Sequence, residues 1–255
     1  MHRTPAARPL LVLVLSAALV LALSACSAGD RHDARQVPTA PATAQSPAVL
    51  PSPTAPPALT RDQARAALIT EADLGEPWEP TQGAATWRDG LLKATAEHPD
   101  CQRLLDALYT EELFDSAPAP RATAALDDGV DGAQLHYRIT AHRAADLDRT
   151  LAWMGTLPDT CGQFPAETDH GDPLDVQVVG LDVPEAGDAR EALRVAVGIE
   201  DTVLTMDVVA VRLGDDAISL TNGTLGEIAG DATWTALETG ARRLTEIRRQ
   251  GRAQV

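Results

Sequence analysis

The chain has 255 residues, with 21 basic and 37 acidic side chains (net −16), 44% apolar residues and only 3% aromatic ones. That is enough chain for a single well-packed core. The negative field repels nucleic-acid phosphates and offers no polybasic attraction to anionic lipid, so nucleic acid is excluded as an expected partner.

Met1 to Pro9 carries Arg3 and Arg8 and no acid, Leu10 to Leu23 is an apolar run, and Leu23-Ser24-Ala25-Cys26 closes it. A cationic head, a short apolar core and a small-residue cleavage site make an export signal, too short for a stable membrane span. The closing tetrapeptide resembles the lipobox of bacterial lipoproteins. That resemblance implies that residues 1–25 are removed, and that Cys26 receives a diacylglycerol and becomes the N-terminus at the extracytoplasmic face of the cell membrane. Ordinary secretion with an incidental Cys26 is the alternative. Removal of residues 1–25 leaves 19 basic and 37 acidic residues, net −18, so acyl chains would hold the protein without electrostatic help. Lys93 is the single lysine, and the abundance of Arg, Ala and Pro fits a high-GC, actinobacterial genome.

Residues 26–58 are Ala, Pro, Thr and Ser with few large apolar side chains, and Pro38, Pro41, Pro47, Pro51, Pro53, Pro56 and Pro57 oppose helix and ladder alike. This composition predicts a disordered tether. One globular domain is expected over residues 59–250. Thr60 and Gln63 form a capping-box pattern opening a helix. A loop containing Trp78 and Trp87 follows. Asp100 is placed to cap a short helix with Cys101, Leu104, Leu105 and Leu108 on one face, so Cys101 points inward.

Arg121 to Asp127 reads as a strand and Asp128 to Gly132 as its turn. Leu135, Tyr137, Ile139 and Ala141 then alternate with Gln134, His136, Arg138 and Thr140, a half-buried strand whose polar set is expected to face water. Helical spacing returns at Ala144, Leu147, Leu151 and Met154, and Gly155 and Pro158 are expected to stop that helix. Strands are expected at 175–183, 192–199, 203–213 and 218–221, with hairpin turns between the later ones. Val208 and Val209 both call for burial, which a bulge or two-sided burial would satisfy. Asn222-Gly223-Thr224 is expected to be a turn. Asp231 then caps a closing helix with Trp234, Leu237, Ala241, Leu244 and Ile247 in one stripe. Its C-terminal arginines are read as complementing the helix dipole and pairing along the helix. The expected class is α+β, a mainly antiparallel sheet with helices packed on one face.

Cys101 and Cys161 are the remaining cysteines, and in an exported chain they read as one disulfide, worth about 4 kcal/mol on the chain-entropy model. A metal site is the weaker reading, for no CxxC or neighbouring histidine accompanies them. No GxSxG, SxxK, HExxH, P-loop or GxGxxG motif occurs. No catalytic residue, cofactor or metal is therefore expected. His136 is a surface histidine with a secondary candidacy as base or ligand. His142 neighbours a helix start, and His170 with Asp169 and Asp172 lies in a loop that is better read as solvated than as cation-binding. The Asp127–Gly132 run fails as an EF-hand, since Arg138 stands where a bidentate Glu is needed. Trp78 and Trp87 either stack on a sugar or apolar ligand or plug the core, the second being favoured.

The tether, the opening helix ending in Asp73-Leu74-Gly75, Cys101-Gln102-Arg103-Leu104-Leu105, the strand series and the closing Trp234 helix together resemble a known layout. It is that of the extracytoplasmic sensor domain of PknH-type mycobacterial serine/threonine kinases and of its free lipoprotein relatives. The resemblance covers about Leu59 to Arg249 and implies an α+β fold with a ligand cleft. That family domain has two disulfides, whereas one pair is available here, and no motif carries a ligand residue across. The expected function is a non-catalytic, membrane-anchored module that binds a small molecule, lipid or envelope protein in an envelope-sensing role. Trp78, Trp87 and His136 are its candidate contacts. An envelope hydrolase with an unmarked site and a structural surface protein are the alternatives.

Overall fold

The computed structural model describes residues 59–114 and 122–253. Residues 1–25 and the whole 26–58 segment, Cys26 included, with the readings made on them, lie outside the described residues. The chain opens with α1 (Arg61–Ala66), α2 (Glu71–Leu74), β1 (Trp78–Pro80), α3 (Thr86–Leu91), β2 (Ala94–Ala96) and α4 (Pro99–Thr110). It continues through β3 (Ala122–Asp128), β4 (Gln134–Ala141), α5 (Ala144–Thr160), β5 (Gln163–Thr168) and β6 (Pro173–Gly180). Three long strands, β7 (Ala189–Ile199), β8 (Thr202–Leu213) and β9 (Asp216–Leu225), precede the closing α6 (Ala232–Ala253).

All nine strands join one sheet in the order β1-β3-β4-β9-β8-β7-β6-β5-β2, and every pairing is antiparallel. The α+β class holds. The helices, however, divide between both faces of the sheet instead of sharing one, because β8 is apolar on both of its sides. Leu204, Met206, Val208 and Ala210 join a front core with α4 and α5, while Val209, Val211 and Leu213 join a back core with α1 and α6. The conflict between Val208 and Val209 is thus resolved by two-sided burial, which is how strands covered on both faces read in general.

Local chemistry explains most boundaries. Thr60 Oγ1 accepts from the Gln63 N–H at 3.2 Å and Gln63 Oε1 accepts from the Thr60 N–H at 2.9 Å, so the capping box is real. His98, not Asp100, caps α4, accepting the Asp100 N–H at 3.3 Å on Nδ1. Pro99 makes this possible, since a proline at the first helical position loses no bond. Asp100 instead accepts the Trp153 indole N–H at 3.1 Å. Helix α5 runs through Pro158 to Thr160. The proline forfeits only one bond near the helix end, and Cys161 N–H closes on the Leu157 carbonyl at 2.7 Å. Cys101 and Cys161 are bonded, with Cα atoms 5.6 Å apart, tying α4 to the end of α5.

The 222–224 turn is not one: Asn222, Gly223 and Thr224 continue β9. Asn222 is fully buried, and a Cβ on Gly223 would press at 3.0 Å against both the Trp87 ring and the Met206 methyl. On the back face the same logic sets Gly240 of α6, where a Cβ would fall 1.9 Å from the Tyr137 hydroxyl. Helix and sheet touch there only because that residue has no side chain.

Candidate functional site

The even-numbered residues of β4 do not face water. They face α3 and the segment 111–114 that leaves α4, so Gln134 keeps 7% of its surface and Thr140 3%. His136 sits between them with its side chain 16% exposed. Its Nδ1 lies 3.2 Å from Glu111 Oε2 and its Nε2 2.9 Å from Gln134 Oε1. Glu111 holds its place through Arg88, whose Nη1 is 2.7 Å from Glu111 Oε1, and its backbone carbonyl accepts from the Arg138 guanidinium. Arg88 also donates twice to the Tyr109 carbonyl, at 3.0 and 2.7 Å, so α3 is pinned to the end of α4.

Glu111 adopts a left-handed backbone, φ 57°, at the C-terminus of α4. Glycine is the usual residue there. The side-chain contacts to Arg88 and His136 offset the conformational cost of a Glu in that position. Burial raises the Glu111 carboxyl pKa, but the His136 hydrogen bond and the His136, Arg88 and Arg138 charges outweigh it and bring the value below the ordinary one.

Gln134 passes this arrangement on to the surface. Its Nε2 donates to Asp127 Oδ1 at 2.7 Å, the Gly83 carbonyl at 2.9 Å and Thr81 Oγ1 at 3.1 Å. Its Oε1 accepts the Ala85 N–H at 3.1 Å. Asp127 also accepts from the Gln82 N–H and the Thr81 hydroxyl, at 3.0 and 2.9 Å. Burial alone would raise the Asp127 carboxyl, yet the Gln134, Gln82 and Thr81 donors and the His136 charge hold it below the ordinary range. Segment 81–85 is thereby fixed by two side chains of the sheet.

That segment is one wall of a cavity of about 490 Å³ at the end of the sheet, facing the β3–β4 turn and the end of β9. Trp87, Asp127, Asp131, Gln134, Thr224 and Leu225 line it. The β3–β4 turn is itself rigid: Asp128 Oδ1 accepts the N–H groups of Val130 and Asp131 at 2.8 and 3.0 Å, and Thr224 donates to the Asp131 carbonyl at 2.9 Å. A larger groove, about 900 Å³, runs along α6 between Ala66 and the 185–187 loop. Its polar walls are exposed Glu238, Arg242, Glu246 and Arg249, with Arg243 held by Asp73 at 2.7 and 2.5 Å and Glu185 held by Arg190 at 2.6 and 2.7 Å. The smaller cavity is the one whose wall is tied to the buried hydrogen-bond network of the sheet.

Of the expected contacts, the structure brings His136 and Trp87 to this region and separates Trp78 from it. Trp78 is buried in the back core, whereas Trp87 packs against the front core, so the two indoles form no shared platform. His142 is half-buried against the Phe114 ring, 5.3 Å between centroids, and burial lowers its pKa below the ordinary value, against a smaller opposing pull from Asp146. His170 is exposed, 3.5 Å from Asp169, which pairs with Lys93 at 2.8 Å. Among the described residues the one group with three close metal-ligand atoms is His98, Cys101 and Cys161. The disulfide occupies both sulfurs of that group. No helix among the described residues is long and apolar enough to cross a membrane.

A second polar group, on the back face, has no counterpart in the sequence reading. Asp207, fully buried on β8, accepts from Arg194 at 2.7 and 3.1 Å and from Thr233 Oγ1 of α6 at 2.9 Å. Thr233 in turn accepts from Asn222 Nδ2 at 3.1 Å. Nothing in the pattern around Met206-Asp207-Val208 marks an interior acid.

No known protein family matches the sequence, and no curated protein sequence matches it. Among solved structures, the extracellular domain of PknH from Mycobacterium tuberculosis is similar with a TM-score of 0.47 and 12% identity, over 76% of this chain and 98% of that one. An uncharacterised protein from Rhizobium leguminosarum is similar with a TM-score of 0.20 and 9% identity, over 62% of this chain and 91% of that one.

Proposed function

We propose that this chain is a non-catalytic, extracytoplasmic binding module, lipid-anchored through Cys26, with an envelope-sensing role. Its ligand is a small polar molecule rich in hydrogen-bond donors, held in the cavity between segment 81–87 and the β3–β4 turn. The observation that carries this reading is the pre-built wall: three hydrogen bonds from one buried amide, Gln134, fix Thr81, Gly83 and Ala85 before any ligand arrives, and a fourth anchors that amide to Asp127. Preorganisation of this kind lowers the entropic cost of binding. The cavity offers carboxylates, which only accept, and the Trp87 indole, a face for a sugar ring or an organic cation. His136 is poorly placed for catalysis, since both of its ring nitrogens face protein acceptors. The lipid anchor rests on the sequence of residues 1–26.

The test is an NMR titration of the full-length chain with N-acetylglucosamine, choline and spermidine, recorded separately. Binding should shift the amides of Gly83 to Trp87 and of Gly132 to Gln134, and Trp87→Ala should weaken it about tenfold, the loss of one stacked face. Shifts confined to the α6 groove, or none with any of the three probes, would defeat this assignment.

A further inference from the structure

His136 carries a hydrogen-bonding constraint that a neutral imidazole cannot meet. The Gln134 amide has one possible orientation, because Asp127 Oδ1 and the Gly83 carbonyl require its NH2 while the Ala85 N–H requires its oxygen. The atom turned toward His136 Nε2 is therefore Oε1, an acceptor. The atom facing His136 Nδ1 is a Glu111 carboxylate oxygen, also an acceptor. Two acceptors on two ring nitrogens call for two protons, and only the imidazolium has them.

We infer that His136 is a proton-operated latch on the cavity: its charged form ties Glu111 on one side to Gln134 on the other, and loss of a proton releases the 81–87 wall. This rests on the reading of that cavity as the ligand site and assigns its regulation. Glu111 from the end of α4 faces His136 directly and Asp127 of β3 feels its charge, while Arg88 of α3 and Arg138 of the same strand belong to the cluster through Glu111.

When the proton leaves, one of two contacts must fail. If Nε2 keeps its hydrogen, the Nδ1 lone pair confronts the Glu111 carboxylate, and the 111–114 segment keeps the sheet only through the Arg138 contact to the Glu111 carbonyl. If Nδ1 keeps it, the Nε2 lone pair confronts Gln134 Oε1, and the amide that fixes Gly83 and Ala85 is pushed away. Either way the strain reaches α3, through Arg88 or through the chain at Ala85. Imidazoles change charge between about pH 5 and 8, the interval in which an exposed envelope protein would meet acidification. The wall of the cavity is thus ordered in mild acid and looser at alkaline pH.

The test needs no ligand. Hydrogen–deuterium exchange of the full-length chain is measured at about pH 5.5 and about pH 8.5, with rates normalised for intrinsic pH dependence. Protection of the Gln82 and Ala85 amides should fall about tenfold or more at the higher pH, the loss of one charge-assisted hydrogen bond, while amides of β7 stay unchanged. His136→Gln should show the lower protection at both pH values. Glu111→Gln, which leaves the imidazole itself in place, should flatten the pH response. Equal protection at the two pH values in the native chain overturns the latch, as does an unaltered pH response in His136→Gln. A pH-dependent wall in a chain that binds none of the three probes above supports the latch and removes the ligand reading. Probe binding at an unresponsive wall does the reverse.

Discussion

The two faces of the sheet hold polar groups of the same kinds and use them in opposite ways. On the back face, Asp207, Arg194, Thr233 and Asn222 lock the start of α6 to β8 and β9, and Asp207 and Thr233 are wholly sealed. On the front face, Glu111, His136 and Gln134 are equally well connected, but the chain of contacts ends on a segment that walls a cavity. A network built on a buried acid and a permanently charged arginine specifies a packing arrangement. A network that reaches the surface through a titratable ring can transmit a change. The front face is also the one crossed by the disulfide, so its helices are held covalently while the α6 side depends on packing and buried charge.

That contrast can be broken experimentally. The largest effect is expected from Cys101→Ala with Cys161→Ala, which should cost about 4 kcal/mol in urea unfolding for a loop of this length. Exchange protection should fall first in α4 and α5; an equal loss in α6 would show that the two faces unfold as one. Asp207→Ala should cost about 3 kcal/mol, less than for a fully enclosed pair because Arg194 is partly exposed to solvent. A loss under about 1 kcal/mol would place that network among ordinary surface contacts.

The smallest effect is the one that sharpens the comparison. The Glu111 carboxyl is depressed below its ordinary 4.5 in the folded chain, so its contribution is complete above that ordinary value and is lost as the pH falls through the depressed one. Glu111→Gln should therefore be about 1 kcal/mol less stable than the native chain near neutrality and converge with it in acid. A difference that stays constant with pH would mean that the carboxylate charge plays no part in holding the front face.

Much of this fold is legible in the sequence because its signals are local. The Thr60–Gln63 cap, the Leu135-Tyr137-Ile139 alternation and the α6 stripe each lie within a few residues. Cys101 and Cys161 read as a pair from the export context, and the structure bonds them. What escapes is what depends on distant cover. The polar side of β4 looks solvent-facing until α3 and the 111–114 segment are laid over it, and no periodicity near residue 136 reports residues 87 or 111. Strand β5 is hidden by Pro165, which argues against a strand from within. Asn222-Gly223 has the composition of a turn, yet its glycine serves the approach of the Trp87 ring. Of the candidate site, His136 and Trp87 are visible as isolated residues, while Glu111, Gln134 and Asp127 become meaningful only through their hydrogen bonds.

The sheet ends on strands of three residues each, β1 with Pro80 at one margin and β2 at the other. Long open margins invite neighbouring molecules to add their own strands, and short, proline-bearing ones discourage it. A protein present at high local concentration would gain from such margins. Nine strands can then sit side by side with many like molecules without seeding an aggregate.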